Sequence, residues 1–199
     1  MRIIGGLAAG RIINVPKGFD VRPTPDLVRQ AIFNSLGSRV IGARVLDLFS
    51  GSGALGLECL SRGAASVLSI EKANRHAAMI QRNVEDVGLP MENYQLRVQD
   101  VFLALGQLAE AHLKFDLIVA DPPFGEKNVG RRSTSMSQRL LDKEELPGLI
   151  TPEGLLVLGH TKRDTLEIPQ TWEEVKVMKH GDSMMNFLRR KHLANEDEI

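Results

Sequence analysis

The chain has 199 residues, 25 Lys and Arg against 25 Asp and Glu, 43% apolar residues and a single cysteine. That length suits one domain of ordinary size with a small appendage, and the mixed composition excludes disordered, fibrous and disulfide-framed classes. Cys59 alone excludes a cysteine-cluster metal site and makes a reducing cytoplasm the expected compartment.

Residues 2–5 and 10–15, joined through glycines, predict a small hairpin; Arg11 closes the apolar start, so it does not read as a signal peptide. Thr24 offers an N-cap with Pro25 at the first helical position, and Leu27, Val28, Ala31, Ile32 and Leu36 supply an apolar stripe that Gly37 ends. From there strands and helices alternate. The pattern predicts strands over 44–49, 66–70, 94–99 and 115–120, with helices over 54–62, 73–87 and 101–112 between them. A helix over 135–146, a strand over 155–159 and an antiparallel pair over 174–178 and 185–189 complete the reading. Such alternation predicts an α/β fold, a Rossmann-like doubly wound sheet with its ligand at the carboxyl ends of the first strands. The long polar loop over 125–137 follows a buried strand and so falls beside that crevice. No apolar run approaches the roughly 20 residues of a membrane helix.

Zero net charge, taken whole, argues against a nucleic-acid partner. The charge is unevenly placed, however. Residues 1–44 carry seven cations against two acids, and residues 125–139 carry four against one. The balance lies elsewhere, partly in the tail Glu196-Asp197-Glu198, so neutrality covers two basic segments. Overall neutrality then predicts modest affinity for random RNA, with specificity coming from the shape of a folded ribonucleoprotein.

Four strand ends carry the chemistry. Asp47-Leu48-Phe49-Ser50-Gly51-Ser52-Gly53 sits where a strand turns into a helix, and Gly51, Gly53 and Gly56 fit the glycine spacing of dinucleotide-binding turns. An acid at the strand's end repels a pyrophosphate but pairs with an ammonium group. Asp47 therefore suits S-adenosylmethionine better than NAD. Glu71, 20 residues after Gly51, is placed to accept both ribose hydroxyls, and Asp100 to accept from the adenine amine, cap the next helix, or both. Asp121-Pro122-Pro123-Phe124 ends the fourth strand. Two prolines fix φ twice and donate nothing, so nearby carbonyls stay free. The Asp121 carboxylate and Pro122 carbonyl can then hold the two N–H groups of an exocyclic amine and aim its lone pair at an electrophilic methyl, while Phe124 gives a flat face for an unstacked base.

With these residues the chain resembles class I S-adenosylmethionine-dependent methyltransferases, and more closely the RsmD family of 16S ribosomal RNA guanine-N2 methyltransferases. The resemblance runs from residue 1 to about 190 and is carried by Arg2-Ile3-Ile4-Gly5-Gly6 with Gly10-Arg11, Arg22-Pro23-Thr24 with Val28-Arg29 and Ile32-Phe33-Asn34, the stretch 46–62, and Asp121 to Phe124. It implies a seven-stranded sheet with a reversed carboxyl-terminal hairpin, S-adenosylmethionine as donor, and a guanine of the small ribosomal subunit as acceptor. It also implies an RNA-binding hairpin-and-helix extension over 1–40 and a methyltransferase domain over 41–191; the acidic tail over 192–199 has no family counterpart. Cofactor contacts carry over to Thr24, Asp47, Phe49, Gly51, Gly53, Glu71, Lys72, Asp100 and Val101, and catalytic roles to Asp121, Pro122 and Phe124. Arg22 and Thr24 would border either the methionine carboxylate or the incoming base. Arg2, Arg11, Arg22, Arg29, Arg131 and Arg132 are the phosphate contacts implied. Ser50 departs from the family's usual Ala, and the 125–139 loop is longer and more basic than typical.

Cys59 and Trp172 read as packing, and the five histidines have no partner spacing for zinc or a triad. A monomer with no metal and no membrane attachment is expected. Two other readings share the core: an adenine-N6 DNA or protein glutamine methyltransferase, against whose glutamine form Asp rather than Asn at position 121 counts, and a non-catalytic RNA-binding assembly factor.

Overall fold

The computed structural model describes residues 1–15, 24–123, 128 and 131–191. Its strands are β1 (Arg44–Leu48), β2 (Ser66–Glu71), β3 (Tyr94–Val98), β4 (Phe115–Ala120), β5 (Ile150–Thr161), β6 (Trp172–His180) and β7 (Ser183–Arg190). They form one sheet in the order β3-β2-β1-β4-β5-β7-β6. The first five run parallel, and β7 enters antiparallel between β5 and β6. Helices α1 (Asp26–Leu36), α2 (Ala54–Ser61), α3 (Asn74–Val87), α4 (Val101–Glu110) and α5 (Met136–Leu141) cover the two faces.

The two-residue period of a strand decides which side chains meet which helices. Val45, Leu117 and Val119 face a layer built from α1, α2 and α3, whereas Leu46, Leu48, Ile118 and Ala120 face α4 and α5. Each fully buried Leu or Ile here contributes about 1.5–3 kcal/mol. Both faces are covered, which is why these strands read as near-continuous apolar runs. The same alternation puts Asp47, within β1, and Asp121, one residue past β4, on the α1–α3 side, Asp47 bonded to α2 and Asp121 to the residue leading into α1.

The amino-terminal segment keeps the predicted hairpin in its outer residues only: Arg2 and Ile12 bridge antiparallel, and Ile3 N–H donates to the Arg11 carbonyl and Ile13 N–H to the Met1 carbonyl, each at 2.9 Å. The amides that would extend a ladder go to α2 instead: Ile4 and Gly5 N–H donate to the Glu58 carboxylate, each at 2.8 Å, Leu7 N–H to the Ser61 carbonyl and Ala8 N–H to the Ser61 hydroxyl. Glu58 is fully buried and also accepts from Arg29 and Arg62. The chain then crosses to α3, where the Asn83 amide holds Asn14 through both its N–H and its carbonyl and also donates to the Ser52 carbonyl.

Other elements shift for local reasons. The α1 stripe is Val28, Ile32 and Leu36 with Arg29 and Phe33, a helical face that leaves Leu27 exposed; Pro25 rather than Thr24 stands at the N-cap, with no side-chain capping bond. Helix α5 stops at Asp142, whose carboxylate is taken by Arg132 and Gln138, and a short turn over Leu146–Leu149 follows. Strand β5 begins five residues before the predicted start, tolerating Pro152 and Gly154 through a register shift opposite Phe115 and Leu117. Among the described residues no helix is long and apolar enough to cross a membrane.

Candidate active site

All four acidic strand ends, Asp47, Glu71, Asp100 and Asp121, lie at the carboxyl edge of the sheet. After β1 the backbone turns through Phe49, Gly51 and Gly53, each with positive φ, 58°, 58° and 77°. Gly53 is the left-handed residue that opens α2, a conformation costly for a residue with a Cβ. Gly56 serves a different need. A Cβ there would stand 2.8 Å from Asp47 Oδ2, so its absence lets the helix close on the carboxylate.

Asp47 is buried and accepts from the Gly56 N–H and the Ser69 hydroxyl, each at 3.2 Å; Ser69 in turn pairs with the Tyr94 hydroxyl at 2.6 Å. Burial pushes its carboxyl up to about 7 despite those two donors. No cation of the described residues contributes to its titration. An acid held at this point of balance fits a cationic ligand group, and the ammonium end of S-adenosylmethionine supplies one.

The sign of the linkage follows. With the folded-state pKa raised from 3.8 to about 7, the native protein holds a proton between those values that the unfolded chain has lost, so stability falls as pH rises across the window. Asp47→Asn removes that penalty. The variant is expected to melt above the wild type at about pH 8 and level with it at about pH 4, while losing donor affinity. Wild-type donor affinity should rise as pH rises through about 7. Thermal scans and calorimetry at the two pH values check both, and a variant destabilised equally at each would refute the balance.

Glu71, at the end of β2, ties two loops together. Its Oε2 accepts from Gly51 N–H and its Oε1 from Ala73 N–H, both at 2.8 Å, with His76 3.4 Å away. A carboxylate offers about four acceptor sites, so two remain for a ribose diol. Asp100 caps α4 by accepting from Phe102 N–H and pairs with the exposed Lys72 at 3.1 Å. Partial burial opposes ionisation, but Lys72 and the Phe102 N–H hold its carboxyl below the usual range. Val101, expected against the cofactor, turns its side chain into the core among α4 and α5. The apolar ring at that corner is Phe102 instead, edge-on to Phe49 at 6.0 Å and capped by the Arg139 guanidinium at 4.4 Å.

Asp121 follows β4. Its Oδ2 accepts from the Thr24 hydroxyl at 2.5 Å, and burial holds its carboxyl above the ordinary range. Pro122 is buried, Pro123 is exposed, and the β4 ladder has ended at Ala120. Phe124 and Arg22 lie outside the described residues, as do the 192–199 tail and most of the 124–130 loop.

The implied phosphate contacts divide. Arg2, Arg11 and Arg131 are exposed. Arg29 is not: its side chain is 0% exposed and bonded to Glu58, Asp26 and the Arg2 carbonyl, so it holds the amino-terminal segment and cannot meet a phosphate. Arg132 is half exposed but already forked onto Asp142 and bonded to Glu167. Asn128 adds three bonds, to Arg131 and to both backbone groups of Thr165, so this part of the basic loop is pinned to the segment after β5.

Comparison with known proteins agrees with this geometry. The family described as conserved hypothetical protein 95 matches residues 1–189. Ribosomal RNA small subunit methyltransferase D of Escherichia coli is 38% identical over 198 residues, 99% of this chain and 93% of its own length. The chain belongs to the RsmD family. Among solved structures, the Escherichia coli methyltransferase yhhF superposes with a TM-score of 0.75 at 29% identity, over 96% of this chain and 98% of that one. A Thermus thermophilus 16S rRNA N2 methyltransferase, solved in complex with AdoMet and guanosine, gives 0.67 at 25% identity over 86% of this chain and 44% of that one. The seven-stranded sheet with its reversed carboxyl-terminal hairpin is the one the resemblance implied.

Glu58, Asn83 and Gly159 were not singled out by sequence reasoning. Glu58 did carry a signal, an acid inside the otherwise apolar helix Ala54–Ser61, matched by Arg29 within the α1 stripe.

Proposed function

We propose that this chain transfers a methyl group from S-adenosylmethionine to the exocyclic N2 of a guanine in 16S ribosomal RNA of the small subunit. One observation carries the reading: the half-buried Asp121 carboxylate, followed by Pro122, stands at the carboxyl end of β4 on the same sheet face as Asp47. When bound, S-adenosylmethionine supplies a methyl activated by its sulfonium. Asp47 receives its ammonium, Glu71 its ribose and the Asp100–Phe102 corner its adenine. Asp121 and the Pro122 carbonyl accept the two N–H groups of the guanine amine, which draws its lone pair out of conjugation and toward the methyl. The N–C bond forms as the S–C bond breaks, sulfur keeps the bonding pair, and the nitrogen's surplus proton passes to Asp121 or water.

Incubating the protein with labelled donor and undermodified small subunits, followed by nucleoside analysis, is expected to yield N2-methylguanine. Label recovered in N6-methyladenine or in protein overturns the reading. RNA phosphates are met by Arg2, Arg11 and Arg131. Neutralising Arg11 should flatten the dependence of log(kcat/KM) on log salt by about one unit and weaken all RNA substrates alike. Rates across a salt series check this; an unchanged slope places Arg11 off the RNA.

A further inference from the structure

Thr24 leads into α1 without capping it; the cap is Pro25, and the Thr24 hydroxyl spans 97 residues of sequence to Asp121 Oδ2. A hydroxyl carries one proton, so while it donates to Asp121 it cannot also donate to a methionine carboxylate. The other oxygen, Oδ1, rests against β5 at Gly159, where a Cβ would stand 2.2 Å from it. The Gly159 carbonyl is itself held by the Ser137 hydroxyl at 2.9 Å.

We propose, resting on the reading of Asp121 as acceptor of the substrate amine, that Thr24 is the positioning residue of that carboxylate, with the bare Gly159 backbone as the surface it is held against. The hydroxyl on one oxygen and the strand behind the other give the carboxylate a single orientation. The lone pairs not used by Thr24 are left for the amine. The hydroxyl also acts on charge. Burial favours the protonated acid and the Thr24 donor opposes it, and no charged side chain among the described residues contributes. A protonated Asp121 would present an O–H to the amine where an acceptor is required.

The test uses the full-length protein, S-adenosylmethionine and undermodified small subunits. Thr24→Val is expected to lower kcat about 10- to 100-fold, the scale of one hydrogen bond to a charged group. Donor Kd by calorimetry and KM for subunits should stay at wild-type values, and the acidic limb of the kcat–pH profile should move to higher pH. Thr24→Ser should restore both rate and limb. Gly159→Ala approaches the carboxylate from the other side and should lower kcat with donor binding intact; it decides the matter if the valine variant does not fold. A Thr24→Val enzyme with wild-type kcat and pH profile overturns the proposal. So does a loss confined to donor Kd, which would return Thr24 to the cofactor, or a loss that serine does not rescue. Asp121→Ala separates the two levels: if it remains active, the underlying reading fails, and if it is inert while Thr24→Val is normal, only the positioning role fails.

Discussion

Replacing Asp121 with alanine is expected to lower kcat on the order of 10²- to 10³-fold, with S-adenosylmethionine affinity unchanged. The magnitude is that of removing one preorganised polar group from a partly buried reaction centre. Donor affinity is spared because the groups assigned to the donor, Asp47, Glu71 and Asp100, lie at the ends of β1, β2 and β3, whereas Asp121 follows β4. Asp121→Asn should lose less, since a carbonyl oxygen still accepts, and its rate should no longer fall at low pH. In the wild type that fall is expected at a pH above the ordinary carboxylate range, because burial raises the Asp121 pKa and activity requires the ionised form. Single-turnover methyl transfer beside calorimetric donor titration measures both quantities. An alanine variant with wild-type turnover would remove Asp121 from the chemistry.

The largest stability effect is expected at Glu58. Its carboxylate is fully buried and receives Arg29, Arg62 and the Ile4 and Gly5 amides. Glu58→Ala leaves the Arg29 guanidinium, with a 0% exposed side chain, without that counter-charge, and should cost about 3–5 kcal/mol. Arg62 loses its partner too but keeps its place over the Phe33 ring at 4.8 Å. The double replacement Glu58→Leu with Arg29→Met should recover part of the loss, since an apolar pair can stand in for a buried ion pair. Recovery stays incomplete because the Ile4 and Gly5 amides still lack their acceptor. Urea denaturation gives the energies, and hydrogen exchange at residues 3–13 should report faster opening there than in the sheet. A single substitution that costs no more than an ordinary surface change would show that the amino-terminal segment docks by other means.

The strand ends were legible because they combine pattern with chemistry. The run Asp47 to Gly53 announces a tight strand-to-helix turn, and Asp121-Pro122-Pro123 announces a strand that must stop. The sheet's alternation was legible for the same reason: β1 and β4 are apolar on both faces and short. What escaped was any role settled by a distant partner. Thr24 has every local mark of an N-cap, yet its hydroxyl goes to a residue 97 positions away. Arg29 reads as surface charge in a basic segment until Glu58, 29 residues on, is seen to be waiting for it inside the core. The predicted hairpin is shorter than its pattern for the same reason, since the amides of residues 4, 5, 7 and 8 found acceptors on α2 that no local pattern reveals. Gly159 is ordinary in a strand until the Asp121 carboxylate lies against it.

The place of β7 has a consequence for how the molecule is made. Among the described residues it is the last strand in chain order but an internal one in space, with β5 on one side and β6 on the other. A nascent chain translated only as far as β6 carries a twelve-residue β5 with an open, apolar edge, the kind that recruits other strands. Synthesis through residue 190 closes that edge, and in the same event sets Met185 beside Gly159, in register with it and 3.2 Å from where its Cβ would be. The floor beneath the Asp121 carboxylate is Gly159 of β5, and β7 packs Met185 against that floor, so a product truncated before β7 would be both sticky and without a finished reaction centre.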